Sequence, residues 1–131
     1  MTTDNSPDLG KIGQIAIAVT DLKKSTDFYR ETLGIPFMFD AGEMSFFNCD
    51  GIRLMLGVAP EADMPASGTV IYFTVADIHN AYETLRERGV EFVEDPHLVA
   101  RMPEHELWMA FFKDPDGHTL ALMSEIKSVQ K

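Results

Sequence analysis

The 131-residue chain predicts an α+β fold of two βαβββ modules, forming a curved mixed sheet with a central cavity. Three observations lead there. Two apolar runs each end at a helix-opening aspartate, two amphipathic segments each stop at a glycine, and two Asp-Gly pairs follow in the same order. A helix cap, a helix stop and a hairpin signal that recur in register mark an internal duplication.

The first apolar run closes on Val19-Thr20-Asp21-Leu22 and its counterpart on Val75-Ala76-Asp77-Ile78, 56 residues further on. Asp21 and Asp77 can each accept a bond from the unpaired N–H groups of a first helical turn, so both read as N-caps. Ile78, Ala81, Tyr82 and Leu85 recur at the spacing of one buried helical face; Leu22, Tyr29 and Leu33, with Phe28 alongside, keep a looser form of it. Gly34 and Gly89 follow, where the left-handed backbone at a helix end favours glycine. Phe46-Phe47, Asp50-Gly51 and Leu54-Met55-Leu56 are then matched by Phe111-Phe112, Asp116-Gly117 and Leu120-Ala121-Leu122. The Asp-Gly pairs are hairpin turns. The later offset is 66 residues because the second half carries an added segment at about residues 95–106. These marks divide a single domain into a disordered tail (1–10), a first module (11–58), a linker (59–67), a second module (68–126) and a short tail (127–131).

A net charge of −10 and a pI near 4.6 argue against nucleic acid and anionic membrane surfaces, which need a basic footprint. The acid excess serves solubility or the repulsion of polyanions. Cys49 is the single cysteine, so no intramolecular disulfide forms, in keeping with a reducing compartment. The polar N-terminus is no signal peptide and no run is long enough to span a bilayer. A cytoplasmic location is expected.

Alternation along the strands sorts the side chains into two faces. Ile15, Ile17 and Val19 belong under the helix, with Gln14, Ala16 and Ala18 opposite. Ile71, Phe73 and Val75 take the helix side of the second module, leaving Val70, Tyr72 and Thr74. Leu54, Leu56, Leu120 and Leu122 point to the core, while Arg53, Met55, Thr119, Ala121 and Met123 share the other face. That face mixes small, sulfur-bearing and polar groups, which suits a ligand cup, a dimer contact or a second layer of core.

The run GQIAIAVTDLKKSTDFYRETLGI, together with FFKDPDGHTLALMSE, resembles the vicinal oxygen chelate superfamily of glyoxalases, extradiol dioxygenases and bleomycin-resistance proteins. The resemblance spans about Ile12 to Glu125. It implies paired βαβββ modules around a cavity, and a homodimer. Metal-using members carry His, Glu, His and Glu on four strands, and those positions fall here on Gln14, Met55, Val70 and Ala121. Glutamine can ligate through its carbonyl oxygen, but methionine suits only soft copper(I), and valine and alanine offer no donor. No metal and no other cofactor is therefore expected.

Other residues are candidates for chemistry. His105, just ahead of the apolar strand 107–112, reads as a general base at the cup rim or as a solvated loop residue, with Glu106 as its acidic neighbour. His97 reads as a rim contact, and His118 and His79 as surface groups. Arg53 either clamps a ligand carboxylate or pairs with one of the chain's acids. Tyr72 orients a ligand or packs as core. Of Trp108 and Met109 only one faces the cup, and Trp108 would supply an aromatic wall. The leading expectation is a metal-free protein binding a small, partly apolar organic molecule, with turnover as a lyase or isomerase left open. The alternatives are drug sequestration without turnover and, third, a metal-dependent glyoxalase or dioxygenase.

Overall fold

Each half folds as strand, helix and three further strands. The structure, a computed structural model, describes residues 6–59 and 69–127. The first half comprises β1 (Gln14–Val19), α1 (Leu22–Asp27), β2 (Phe37–Ala41), β3 (Met44–Cys49) and β4 (Ile52–Val58). The second comprises β5 (Ile71–Thr74), α2 (Ile78–Glu87), β6 (Phe92–Arg101), β7 (His105–Lys113) and β8 (Thr119–Lys127). Two four-stranded sheets result, ordered β1-β4-β3-β2 and β5-β8-β7-β6. The first strand of each module pairs parallel with its last, β1 with β4 and β5 with β8. A parallel pair needs a crossover, and the helix with its following hairpin strands supplies it.

The punctuation acts as the sequence predicts. Asp21 accepts from the Lys24 N–H and Asp77 from the Asn80 N–H, each at 3.1 Å. Gly34 and Gly89 close the helices at φ of +75° and +93°. Asp50 and Gly51 both take positive φ, the conformation of a tight hairpin turn whose twist matches the flanking strands.

The first helix departs from its twin. Gly34 lies thirteen positions after Asp21, but Gly89 lies twelve after Asp77. The extra residue is absorbed as a π-helical turn over Phe28–Thr32, in which the Leu33 N–H reaches back to the Phe28 carbonyl. This explains why the apolar spacing of the first helix is looser than that of the second. The bulge leaves Tyr29 fully buried.

One core joins the modules. Val19, Tyr29, Phe47, Leu54 and Leu56 cluster with Ile78, Phe112 and Leu120, all nearly inaccessible to solvent. Polar contacts at the β7–β8 turn reinforce the junction. The buried Asp114 accepts from the Tyr29 hydroxyl at 2.7 Å and from the N–H groups of Asp116 and His118. Asp116 accepts from the Thr20 hydroxyl at 2.6 Å, and His118 Nε2 donates to the Ala18 carbonyl at 2.7 Å. His118 is thus a half-buried bridging group between modules rather than the exposed hairpin residue expected of it.

The added segment at 95–106 is not a free loop. It lengthens the second module's hairpin, whose strands run ten and nine residues against five and six in the first. Pro96 is tolerated within β6 because that strand lies at the sheet edge, where register shifts interrupt the ladder around it. The expected linker, from residue 60 onward, lies outside the described residues. No described helix is long and apolar enough to cross a membrane.

Candidate functional site

Ladder pairing sets which side chains share the sheet faces turned away from the helices. In the first sheet, Ala16 pairs with Met55, Met55 with Phe46, and Phe46 with Phe39, so these four form a row across all four strands. The adjacent row is Gln14, Arg53 and Asn48. Phe39 and Phe46 stack with ring centroids 4.7 Å apart. Arg53 donates from Nε to Gln14 Oε1 at 2.9 Å and sets its guanidinium 5.8 Å from the centre of the Phe46 ring. An amide, a guanidinium and two phenyl rings thus form one continuous open surface, with Met55 alongside. The opposite face is closed: Leu54, Leu56 and Phe47 are core, and Ser45 shares a hydrogen bond with Thr26 of α1 at 2.7 Å.

The second sheet carries a matching row of Tyr72, Ala121, Phe111 and Glu94, followed by Thr74, Met123, Met109 and His97. Tyr72 and Phe111 meet edge to face at 5.9 Å across Ala121, which explains why that alanine is fully buried while Tyr72 stays 43% exposed. His97 stacks on Phe111 at 6.3 Å. Its Nδ1 donates to the Asp95 carbonyl at 2.7 Å, so Nε2 faces Glu94 Oε1 at 3.5 Å. His97, read from the sequence as a rim contact, lies on this face; Phe39, Phe46 and Phe111 are cup residues that the sequence reading does not single out. Counting back from Gly51 across a two-residue turn puts Phe46 opposite Met55, so that signal was present for Phe46.

The other candidates do not converge. His105 shares the Phe111 face, but six residues along the strand separate the two, about 20 Å at strand rise. Glu106 points to the opposite face, where it pairs with Arg101 at 2.6 Å and accepts from Trp108 Nε1 at 3.2 Å. His105 and Glu106, both candidates for chemistry, therefore stand on opposite sides of the sheet, because neighbouring strand residues alternate. Trp108 also lies on the helix side, edge-on to His79 at 5.2 Å and packed against the core. Met109, not Trp108, is the residue of that pair on the open face. Val70 is half-buried just before β5. Burial and the neighbouring Asp50 push the Cys49 thiol above its ordinary pKa, which disfavours a nucleophilic thiolate there. An apolar cleft of about 280 Å³ opens elsewhere, between α2 and Leu33 and Ile35 of the first module; none of the sequence candidates lines it.

The four positions where the resemblance places metal ligands can be tested directly. The Gln14 carbonyl oxygen is engaged by a cation, Arg53, which repels a second one. Met55 brings a thioether, Val70 brings no donor, and Ala121 is a methyl under an aromatic pair. Among the described residues no three of His, Cys, Asp and Glu come together to hold a metal. The donor set does not fit zinc, manganese, nickel or iron.

Comparison with known proteins supplies the lineage. The model of the Glyoxalase/Bleomycin resistance protein/Dioxygenase superfamily matches residues 11–122. The metallothiol transferase FosB of Staphylococcus haemolyticus is 31% identical over 116 residues, covering 85% of this chain and 81% of that protein. The uncharacterized protein YraH of Bacillus subtilis is 29% identical over 126 residues, 86% and 96% of the two chains. A superfamily member of known structure from Sphaerobacter thermophilus superposes with a TM-score of 0.67 at 29% identity, over 89% of this chain and 98% of that one. Another, from Nocardioides, reaches 0.74 at 24% identity over 97% and 93%. Duplicated βαβββ modules, the Asp114-Pro115-Asp116-Gly117 turn and this breadth of match agree: the chain belongs to the glyoxalase/bleomycin resistance protein/dioxygenase superfamily.

Proposed function

We propose that this protein binds a small, partly apolar organic molecule on the open faces of its sheets, without a metal. One observation carries the reading: Gln14, at the first of the superfamily's metal positions, is tied to the Arg53 guanidinium beside an aromatic floor, and Met55, Val70 and Ala121 at the other three complete no ligand set. Such a surface offers stacking, dispersion and directed N–H donors, which suffice to hold and orient a planar molecule. It offers no Lewis acid, so the metal-assisted transfer that the name of the Staphylococcus relatives announces is not carried over to this chain.

Binding without turnover is favoured over a lyase or isomerase, because His105 and Glu106 share no face and His105 stands far from the Tyr72–Phe111 pair. The proposed working unit is a homodimer. Phe39, Met44 and Tyr72 are exposed on the open faces of a single chain, and a second copy would enclose them.

Methyl-labelled methionines test this reading. A planar aromatic fragment added in the presence of a chelator should shift the Met55, Met109 and Met123 methyl resonances. Silence at all three, or a response only after a divalent metal is added, would contradict it.

A further inference from the structure

We propose that Arg53 is the anion-reading group of this surface and that the ligand is an aromatic carboxylate. The inference rests on the binding reading above and names the ligand class it leaves open.

The chain carries 21 acidic residues against 11 basic ones, so a guanidinium has many potential internal partners. Arg30, Arg86 and Arg101 each have a carboxylate within 4 Å, and Arg88 donates to the Thr32 carbonyl. Arg53 has neither kind of contact among the described residues. Its partner is the neutral Gln14 amide, which engages Nε alone. Both terminal nitrogens keep their N–H donors, in the planar fork that matches the two oxygens of a carboxylate. In a protein of net charge −10, an arginine left without an acid is where an acid from outside would be received.

Gln14 and Arg53 are ladder partners on adjacent strands, so the amide restrains the guanidinium and lowers the entropy lost on binding. The guanidinium stands 5.8 Å from the centre of the Phe46 ring, and Phe46 stacks on Phe39. A carboxylate on the fork would put the ring attached to it against the Phe46–Met55 surface. Aliphatic acids would forgo that stacking, and neutral aromatics would forgo the fork. Asn48, in the same row, accepts from the Gly51 N–H and carries no charge, which leaves Arg53 as the charged group of the row.

The test compares benzoate with benzamide, its neutral isostere, titrated into the full-length protein with chelator present and followed on the Met55 methyl. Benzoate should bind ~10-fold more tightly at low salt, as expected for one charge-assisted fork at a solvated site, and the preference should shrink as salt rises. Arg53→Met keeps the apolar stem and should erase the preference; Arg53→Lys should recover only part of it. Equal affinity for both probes in the native protein would overturn the carboxylate assignment while leaving small-molecule binding intact. A benzoate preference that survives Arg53→Met would overturn it too. Failure of both probes to bind would count against the binding reading itself, and this inference would fall with it.

Discussion

Asp114 illustrates how a single side chain can join two modules. Its carboxylate sits in the β7–β8 turn, accepts two N–H groups of that turn, and takes a third bond from Tyr29 in the first module. Burial, with Asp114 alongside, pushes the Tyr29 phenol well above its ordinary pKa. The direction of the pH effect follows. Below about pH 10 the phenol is protonated in folded and unfolded chains alike, and its contribution is fully present. Above that pH the unfolded chain loses the proton while the folded one keeps it, so stability falls at about 1.4 kcal/mol per pH unit from this group. Tyr29→Phe should cost about 2 kcal/mol at pH 8, the range for a hydrogen bond to a charged group. It should also flatten the alkaline decline, as denaturant titrations at pH 8 and pH 10.5 would show. An equally steep decline in the variant would place the sensitivity elsewhere. Residue types and spacing picked out Gln14, Arg53 and Met55 as a shared face because strand alternation needs only parity. They did not reveal the Arg53–Gln14 bond or the Tyr29–Asp114 bond, which depend on how distant segments meet.

Elements were readable where a local signal fixes the backbone. Capping aspartates, terminal glycines and the Asp50-Gly51 turn act within a few residues, so the sequence carries them whole. The π-helical turn in the first helix left only a trace, one surplus residue between Asp21 and Gly34. The long second hairpin was harder still. Residues 95–106 contain a proline and a dense charge cluster, which read as loop, yet pairing with β7 holds most of them extended at the sheet edge. The choice between Trp108 and Met109 stayed open for another reason: alternation puts the two on opposite sides but does not say which side meets the helix. The helix stops can be tested individually. Gly34 has φ of +75°, and a Cβ there would meet only the flexible Arg88 side chain at an ordinary 4.0 Å, so Gly34→Ala should lose about 1 kcal/mol from backbone strain alone. Thermal or denaturant unfolding would measure it. A loss several times larger would mean that the turn tolerates no change in packing.

At the scale of the molecule, duplication produces two similar sheets, and their helix-side faces merge into one core while the opposite faces stay open. The sequence conveyed the duplication and the two-sided character of each strand. It could not convey how the modules meet, since that depends on the Asp114–His118 turn reaching Thr20, Ser25 and Tyr29 across some ninety residues of chain. The open apolar faces lead to an expected solution mass of twice the 14.7 kDa chain, which sedimentation equilibrium would verify. A strictly monomeric protein at all concentrations would argue that the faces stand alone.

Under the proposed reading, an amide–guanidinium pair and aromatic rings recognise the ligand without a metal. Metal analysis of purified, tag-free protein, followed by titration with zinc, manganese, nickel and iron(II), tests it most directly. Well under one equivalent of bound metal and no tight uptake of any of the four are expected. One equivalent of tightly held metal, lost on Gln14→Ala, would contradict it and would make Gln14 a ligand rather than the partner of Arg53.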